Sequence, residues 1–372
     1  MDFAFTAEQE QLREQVRRFL DTECPLERVR DLMLAKTPHD PGLWKKIADL
    51  GWLALTIPED FGGLGLGWEE VVVISEEMGK TVFPSPFLAN TLAAQAILTL
   101  GDKAQKERLL PGLADGSVIG TLAVLEESDR LDADGVQTKA AAQGGAVVLT
   151  GEKLFVADTE AAGLFLVAAR EAGGVSLFAV PRGAEGLATE PLAQFDATKR
   201  VGVVRLDGVR VEAADRLEAA GKAWEGISRV LDKGLIAFAA ETVGAAQAAL
   251  NLAVHYAKIR EQFGTPIGRF QGVKHPCAEM HVEIESARSL AYYGGWVVDN
   301  DPAKASRYAS MAKAAASEAA DRAGEECIQI HGAIGFTWEC DAHLYYKRGR
   351  YALLAQGSPD HHYDRVLSVQ GL

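Results

Sequence analysis

Basic residues are in short supply: 38 lysines and arginines stand against 52 aspartates and glutamates, a formal net charge of −14. That deficit argues against a nucleic-acid partner, because gripping a phosphate backbone needs a basic surface. Cysteine is sparse too. Cys24, Cys277, Cys327 and Cys340 form no CxxC pair and no zinc or redox spacing. No metal site is expected, and free buried thiols in a reducing compartment are. No apolar run approaches the length of a membrane span. The acidic N-terminus, with Asp2 at its start, carries no signal-like apolar stretch. A cytoplasmic protein without a membrane partner is therefore expected. Repeats and low-complexity tracts are missing as well. What remains is an ordinary globular balance, 48% hydrophobic and 24% charged, over 372 residues, enough for two or three domains.

The first third reads as helical. Thr6 followed by Gln9 is a capping-box pattern, and Leu12, Val16, Phe19 and Leu20 then form one apolar stripe. Pro41 precedes a short helix through Leu43, Trp44, Ile47 and Leu50. Ile57-Pro-Glu-Asp-Phe-Gly-Gly-Leu-Gly-Leu-Gly67 is Gly-rich but lacks the Lys-Ser/Thr of a phosphate loop, so it reads as a connector. Helical segments are predicted over 68–80 and 89–114. From about Ser117 to Leu217 short apolar runs alternate with turn residues, among them Ala146–Leu149, Leu164–Val167, Val175–Val180 and Val201–Leu206. Such runs predict a compact antiparallel β domain. From Gly221 onward four long helical segments are predicted, each about 30 residues and about 45 Å long. Four long helices with short connections predict a four-helix bundle. The division expected is 1–117 helical, 118–218 β and 219–372 bundle.

Two segments carry the chemistry: Arg260-Glu-Gln-Phe-Gly-Thr-Pro-Ile-Gly-Arg-Phe-Gln271 and Gln329-Ile-His-Gly-Ala-Ile-Gly-Phe336. Arg260 would end a helix and present a planar, permanently charged fork suited to a diphosphate. Phe263 offers a flat apolar surface, and Gly264 lets the backbone turn tightly. Gln271 and Gln329 are neutral hydrogen-bonding groups suited to ribityl, ribose or adenine. The bland alternative makes Arg260 a helix-end cation and Phe263 a core residue. It accounts poorly for the whole constellation.

With Ile57-Pro-Glu-Asp-Phe-Gly-Gly added, these motifs in this order resemble the acyl-CoA dehydrogenase family, and the resemblance spans essentially the whole chain. It implies an N-terminal helical domain, a central antiparallel β domain and a C-terminal four-helix bundle. It also implies FAD as cofactor and an acyl-CoA thioester as substrate. Arg260, Gln262, Phe263, Gln271 and the turn Gln329–Gly332–Ala333 would grip the nucleotide half of an FAD bound mainly by a neighbouring subunit. Ala333 stands where the family usually has Gly. In the family a Glu takes the α-proton while hydride passes from the β-carbon to the flavin.

The parts serving the reacting ring are missing. Gln356 occupies the commonest base position and Gly234 the alternative one. The flavin-edge segment Glu126-Glu-Ser-Asp-Arg-Leu-Asp132 lacks the usual Pro and Gly. Phe155-Val-Ala157 replaces the usual Trp-Ile-Thr, so Ala157 has no hydroxyl. Glu241 is the candidate relocated base, seven residues beyond Gly234, a shift of ~10 Å along a helix. Its alternative role is a buried carboxylate paired to a cation of a neighbouring helix. His361 and His362 read as polar surface or interface residues.

The resemblance is nearest to heterotetrameric acyl-CoA dehydrogenases of actinobacterial steroid and side-chain catabolism, in which one subunit carries the base and the other completes the FAD site. This chain is similar to the second kind, in an α2β2 assembly. The alternatives are a self-sufficient homotetramer using Glu241 and a non-enzymatic scaffold without FAD.

Overall fold

The computed structural model describes residues 5–35, 37 and 39–371; Asp2 lies outside them. In chain order the helices are α1 (Ala7–Glu23), α2 (Leu26–Leu34), α3 (Pro41–Asp49), α4 (Trp68–Lys80), α5 (Phe87–Leu100) and α6 (Lys103–Ala114). Strands follow: β1 (Gly120–Ala123), β2 (Lys139–Gln143), β3 (Ala146–Ala157), β4 (Leu164–Glu171), β5 (Gly174–Pro181), β6 (Leu187–Leu192), β7 (Val201–Glu212) and β8 (Arg216–Leu217). Then come α7 (Trp224–Ile259), the short pair β9 (Glu261–Gln262) and β10 (Thr265–Pro266), α8 (Gln271–Asn300), α9 (Ala305–His331), α10 (Ala342–Leu354) and α11 (Pro359–Val369). The chain divides into two compact units. One holds Met1–Met33, Trp68–Phe83 and Leu235–Leu372; the other holds Leu34–Gly67 and Pro84–Gly234.

In the first unit, Thr6 and Gln9 form the reciprocal capping box that opens α1. α4 is buried along most of its length, with Val71, Val72, Val73 and Ile74 inaccessible. Its two buried acids are paired. Glu76 accepts from Arg288 at 3.1 Å and from the Tyr292 hydroxyl, and Glu77 accepts from Arg17 at 3.0 Å and Lys80 at 2.6 Å. Asp299 of α8 accepts from the Trp68 amide at 2.6 Å, satisfying an orphan donor at the start of α4. α4 crosses α7 at glycine contacts. A Cβ on Gly79 would lie 1.8 Å from the Glu241 carbonyl oxygen, and one on Gly244 would lie 2.0 Å from that of Glu76.

α9 is the hub of the bundle and packs against α8, α10 and α11. Its inward face is small: Ala309, Ala312, Ala316, Ala320 and Ala323 are buried. That lets α10 come close, since a Cβ on Gly324 would meet the Tyr346 Cα at 2.6 Å. The fourth predicted segment of about 30 residues is instead two helices, α10 and α11. Gln356 and Gly357 take left-handed φ values of 59° and 96°, and Pro359 then starts α11. The segment predicted over 89–114 also divides, because Asp102 and Gln105 form a capping box that restarts the chain as α6.

In the second unit a mixed sheet has the order β6-β7-β3-β2-β4-β5-β8, with β1 also on β4. The apolar runs around 146, 164, 175 and 201 become β3, β4, β5 and β7. Most pairs are antiparallel, but β1 and β2 both run parallel to β4. They lie end to end along one edge of β4, separated by the excursion 124–138. β4 is buried on both faces. Leu164, Leu166 and Ala168 pack with Ala93, Ile97 and Leu113 of the helices, while Phe165, Val167 and Ala169 pack with Leu149, Phe178 and Val204.

α7 corrects one expectation. It is long and apolar enough to cross a membrane by length and composition, but 78% of its most apolar window is buried inside the protein. Its apolar face belongs to the core.

Substituting Gly79→Ala or Gly244→Ala forces a Cβ into a facing backbone carbonyl. Each is expected to destabilise the fold by ~1–3 kcal/mol, read as a lower denaturation midpoint at unchanged m-value.

Candidate functional site

Arg260 follows the last residue of α7, and its amide donates to the Tyr256 carbonyl at 2.9 Å. The chain then makes the hairpin β9–β10, with Gln262 opposite Thr265. The two turn residues, Phe263 and Gly264, have φ values of 54° and 74°, the two-residue hairpin turn with both centres left-handed. A bulky residue with positive φ is strained, and Phe263 is also 91% exposed. Fold stability alone would favour Asn or Gly there. A ring held outward at a cost in both strain and hydration points to a docking role. Phe263 meets Phe270 edge-on at 6.0 Å.

The other predicted nucleotide residues share this outward character. Arg260, Gln262, Gln271, Gln329, Gly332 and Ala333 are all exposed. Within the described residues the side chains of Arg260, Gln271 and Gln329 have no hydrogen-bond or ion-pair partner. Gln271 opens α8, whose N-cap Phe270 supplies no side-chain acceptor, so the positive end of that helix stands uncapped. Around Gly264, Gly272 and Gly332 a Cβ would meet nothing within 4 Å. The left-handed residue of the second motif is Gly332, with φ 66°. Ala333 is not among the positive-φ residues, so its methyl introduces no backbone strain. The Arg260 and Gln329 motifs sit at the ends of two helices joined by the stacked rings of Tyr256 and His331, 4.3 Å apart. A permanent cation, two unengaged amides, an outward ring and an uncapped helix start fit the diphosphate and ribose–adenine portion of FAD.

The base positions look different. Gln356 lies in the half-buried turn between α10 and α11, and its surroundings hold the backbone rather than the side chain. Lys313 of α9, fully buried, donates to the Ala352 carbonyl at 2.9 Å and to the Gly357 carbonyl. Ser317 donates to the same Ala352 oxygen at 3.0 Å. Burial lowers the Lys313 pKa to about 8. His362 Nε2 donates to the Gln356 carbonyl at 3.0 Å, and Nδ1 lies 3.3 Å from the Ser310 hydroxyl. His362 is therefore buried and structural, whereas the sequence placed it on the surface; His361 beside it is exposed. Burial, reinforced by the Lys313 charge, lowers the His362 pKa to about 3. Sequence reasoning missed Lys313, and its signal was a lone cation in an alanine-rich stretch.

At the alternative position, Gly234 is buried, and a Cβ there would meet Leu92 Cδ1 at 3.0 Å. Glu241 makes an ion pair with Arg348 of α10 at 2.5 Å, both side chains buried. A carboxylate held by a buried guanidinium has that charge as its fixed partner. Taking a proton would leave Arg348 buried without its counter-charge.

The flavin-edge segment explains itself as structure. The Glu126 carboxylate accepts from the Gln137 and Thr138 amides at 2.9 and 3.0 Å and from buried Lys153 at 2.5 Å. Lys153 also donates to the Val124 carbonyl at 3.2 Å, and Arg170 Nε donates to the Val136 carbonyl at 2.8 Å. These bonds pin both ends of the excursion between β1 and β2. Burial opposes ionisation of Glu126, yet Lys153 and the amide donors bring its pKa below the usual carboxylate value. The Ala157 carbonyl accepts from the Thr121 hydroxyl at 2.7 Å. Phe155, in a bulge of β3, is exposed with φ 50°.

The fold defines a class: a flavoprotein dehydrogenase built as helices, sheet and helical bundle, here with the predicted nucleotide residues exposed. The chain belongs to the acyl-CoA dehydrogenase family. It matches the family models described as the N-terminal domain over 6–117, the middle domain over 121–207 and the C-terminal domain over 221–369. Members of the family are FAD-dependent and dehydrogenate acyl-CoA thioesters. One relative is the acyl-CoA dehydrogenase IpdE2 of Mycolicibacterium smegmatis, 33% identical over 353 residues, covering 95% of each chain. Among solved structures, the ChsE4–ChsE5 complex from Mycobacterium tuberculosis superposes with a TM-score of 0.91 at 27% identity, over 100% of this chain and 99% of that one. A structure described as the Tcur3481–Tcur3483 steroid ACAD superposes at 0.89 with 29% identity, over 98% of each.

Two outcomes test the site's polar framework. Arg348→Met alone removes the buried guanidinium paired with Glu241 and is expected to destabilise by ~3–5 kcal/mol. The double variant Glu241→Leu/Arg348→Met should recover most of that loss in the denaturation midpoint. For His362 the folded pKa lies below the ordinary 6.5, so the unfolded chain binds the proton first. Stability is therefore lost as pH falls from 6.5 towards about 3, with a contribution of up to ~1.4 kcal/mol per pH unit. A Tm-against-pH series should be shallower over that range in His362→Gln than in the wild type.

Proposed function

We propose that this chain is the non-base subunit of a heteromeric acyl-CoA dehydrogenase, organised as 1–117, 118–218 and 219–372 and working in the cytoplasm. The observation that carries the reading is Gln356, an amide on a turn whose backbone is fully clamped. An amide takes up no proton near neutral pH, so this turn cannot supply the base that α-proton removal requires. Gly234 has no side chain, and Glu241 is engaged by Arg348. The α-proton is then taken by a Glu of the partner subunit, in an α2β2 assembly.

This chain's own contribution is binding. Arg260 pairs with the diphosphate as a fixed bidentate fork. Gln271, Gln329 and the Gly332–Ala333 turn hydrogen-bond the neutral groups, and Phe263 packs its face on the nucleotide with Gln262 beside it. When bound, FAD supplies the electron sink that accepts hydride from the substrate β-carbon. The outward presentation of all these residues supports a cofactor shared with another chain. Similarity to the ChsE4–ChsE5 complex and to Tcur3481–Tcur3483 supports a heteromeric partner. Similarity to the latter, a steroid ACAD, supports a steroid side-chain thioester as the acyl group. Four free cysteines suit a reducing compartment.

Expressed alone, the chain should carry little flavin and show no acyl-CoA-dependent dye reduction. Co-expression with a base-bearing partner should restore flavin absorbance and turnover. A purified, flavin-loaded homotetramer that oxidises an acyl-CoA would overturn the proposal. In the assembled complex Arg260→Ala should weaken FAD binding tenfold or more, and an unchanged affinity would favour the scaffold reading.

A further inference from the structure

We infer that Tyr256 and His331 are a positioning pair, whose stacked rings set the spacing between the two nucleotide-binding segments. The inference rests on the reading above that both segments hold FAD. Arg260 lies one helical turn beyond Tyr256, and its amide donates to the Tyr256 carbonyl, so the position of the Tyr256 ring reports the end of α7. His331 is the last residue of α9, two residues after Gln329 and immediately before left-handed Gly332. The rings stack with centroids 4.3 Å apart and planes at 24°. This is the ring contact that ties these two helix ends, which lie 75 residues apart in sequence (331 − 256).

The imidazole is itself held. Its Nδ1 hydrogen-bonds the Cys327 carbonyl at 2.7 Å, one turn back in α9. Nδ1 must carry the proton, because a carbonyl only accepts. That bond fixes the ring plane, and the buried ring then presents its flat face to Tyr256. The ligand-facing groups have no such anchor. Arg260, Gln271 and Gln329 are exposed and without side-chain partners in the described chain. Their mutual placement is therefore inherited from the backbone, and for Arg260 and Gln329 the stack is a direct side-chain tie between the two helix ends that carry them. A diphosphate and a ribose gripped from two segments reward correct spacing steeply, since hydrogen bonds weaken quickly when misplaced.

The test uses the assembled complex and FAD itself, titrated by quenching of flavin fluorescence. His331→Leu and Tyr256→Leu keep apolar volume and remove the stack; each should raise the FAD Kd about five- to tenfold. The double variant should be little worse than either single one, because the pair acts as a unit. His331→Phe retains a flat ring and should restore affinity to within about twofold of wild type, a rescue that a general packing role would not single out. Thermal midpoints measured alongside identify any variant that fails to fold, and His331→Phe then decides. Three results overturn the inference: Leu variants that bind FAD normally, additive losses in the double variant, or His331→Phe as weak as His331→Leu. Arg260→Ala separates the layers. If it weakens FAD binding while the stack variants do not, the inference alone fails. If it also leaves FAD binding unchanged, the shared-cofactor reading fails and takes the inference with it.

Discussion

A single buried ammonium group organises the C-terminal part of the molecule. Lys313 sits on α9, the helix against which α8, α10 and α11 all pack, and its Nζ donates to carbonyls on either side of Gln356. Burying such a charge is unfavourable unless polar groups surround it, and the lowered pKa records that burial. Backbone carbonyls of the α10–α11 turn, which a buried helix end leaves without partners, are what it meets. Each side of this contact satisfies the other. The turn that presents residue 356 is thus held by groups that do not depend on which side chain residue 356 has. The backbone hold on this turn is therefore compatible with either Glu or Gln at position 356.

Legibility in the sequence followed interaction range. The Thr6 capping box, the Gly-rich connector and the strands around 146, 164, 175 and 201 rest on neighbours a few residues apart and were readable. Exposed Arg260, Phe263 and Gln329 were readable as a group because their spacing is compact. What stayed hidden depends on partners far along the chain. Glu126 looked like a damaged flavin motif, but its carboxylate is matched to Lys153, 27 residues on. The last helical segment was read as continuous although Gly357, the N-cap Ser358 and Pro359 mark the break locally; the hidden part is the long-range hold on that turn by Lys313. His362 followed a turn and looked exposed; it is buried because that turn folds back over α9.

Two aromatic residues show how backbone strain complements burial as a functional signal. Phe155 and Phe263 are both exposed and both have left-handed φ values, 50° and 54°. An exposed aromatic ring alone is unremarkable, whereas positive φ in a bulky residue is already strained. Together they mean that the local structure loses energy twice to hold a ring outward. One stands on β3, two residues after Lys153 of the Glu126–Lys153 clamp, and the other at the tip of β9–β10. Both elements belong to segments that the family assigns to flavin contact.

Ion pairing separates two kinds of group. Glu241, the candidate relocated base, is tied to buried Arg348, and Glu126 of the flavin-edge segment to buried Lys153. Breaking such a pair costs ~3–5 kcal/mol, a large fraction of the stability of many domains. The groups suited to holding a nucleotide stand in the opposite condition: they are exposed, and the side chains of Arg260, Gln271 and Gln329 have no partner among the described residues. A self-contained enzyme needs its reactive carboxylate as available as its binding groups. Here availability belongs to the exposed groups alone, since the Gln356 amide takes up no proton and Glu241 is engaged by Arg348.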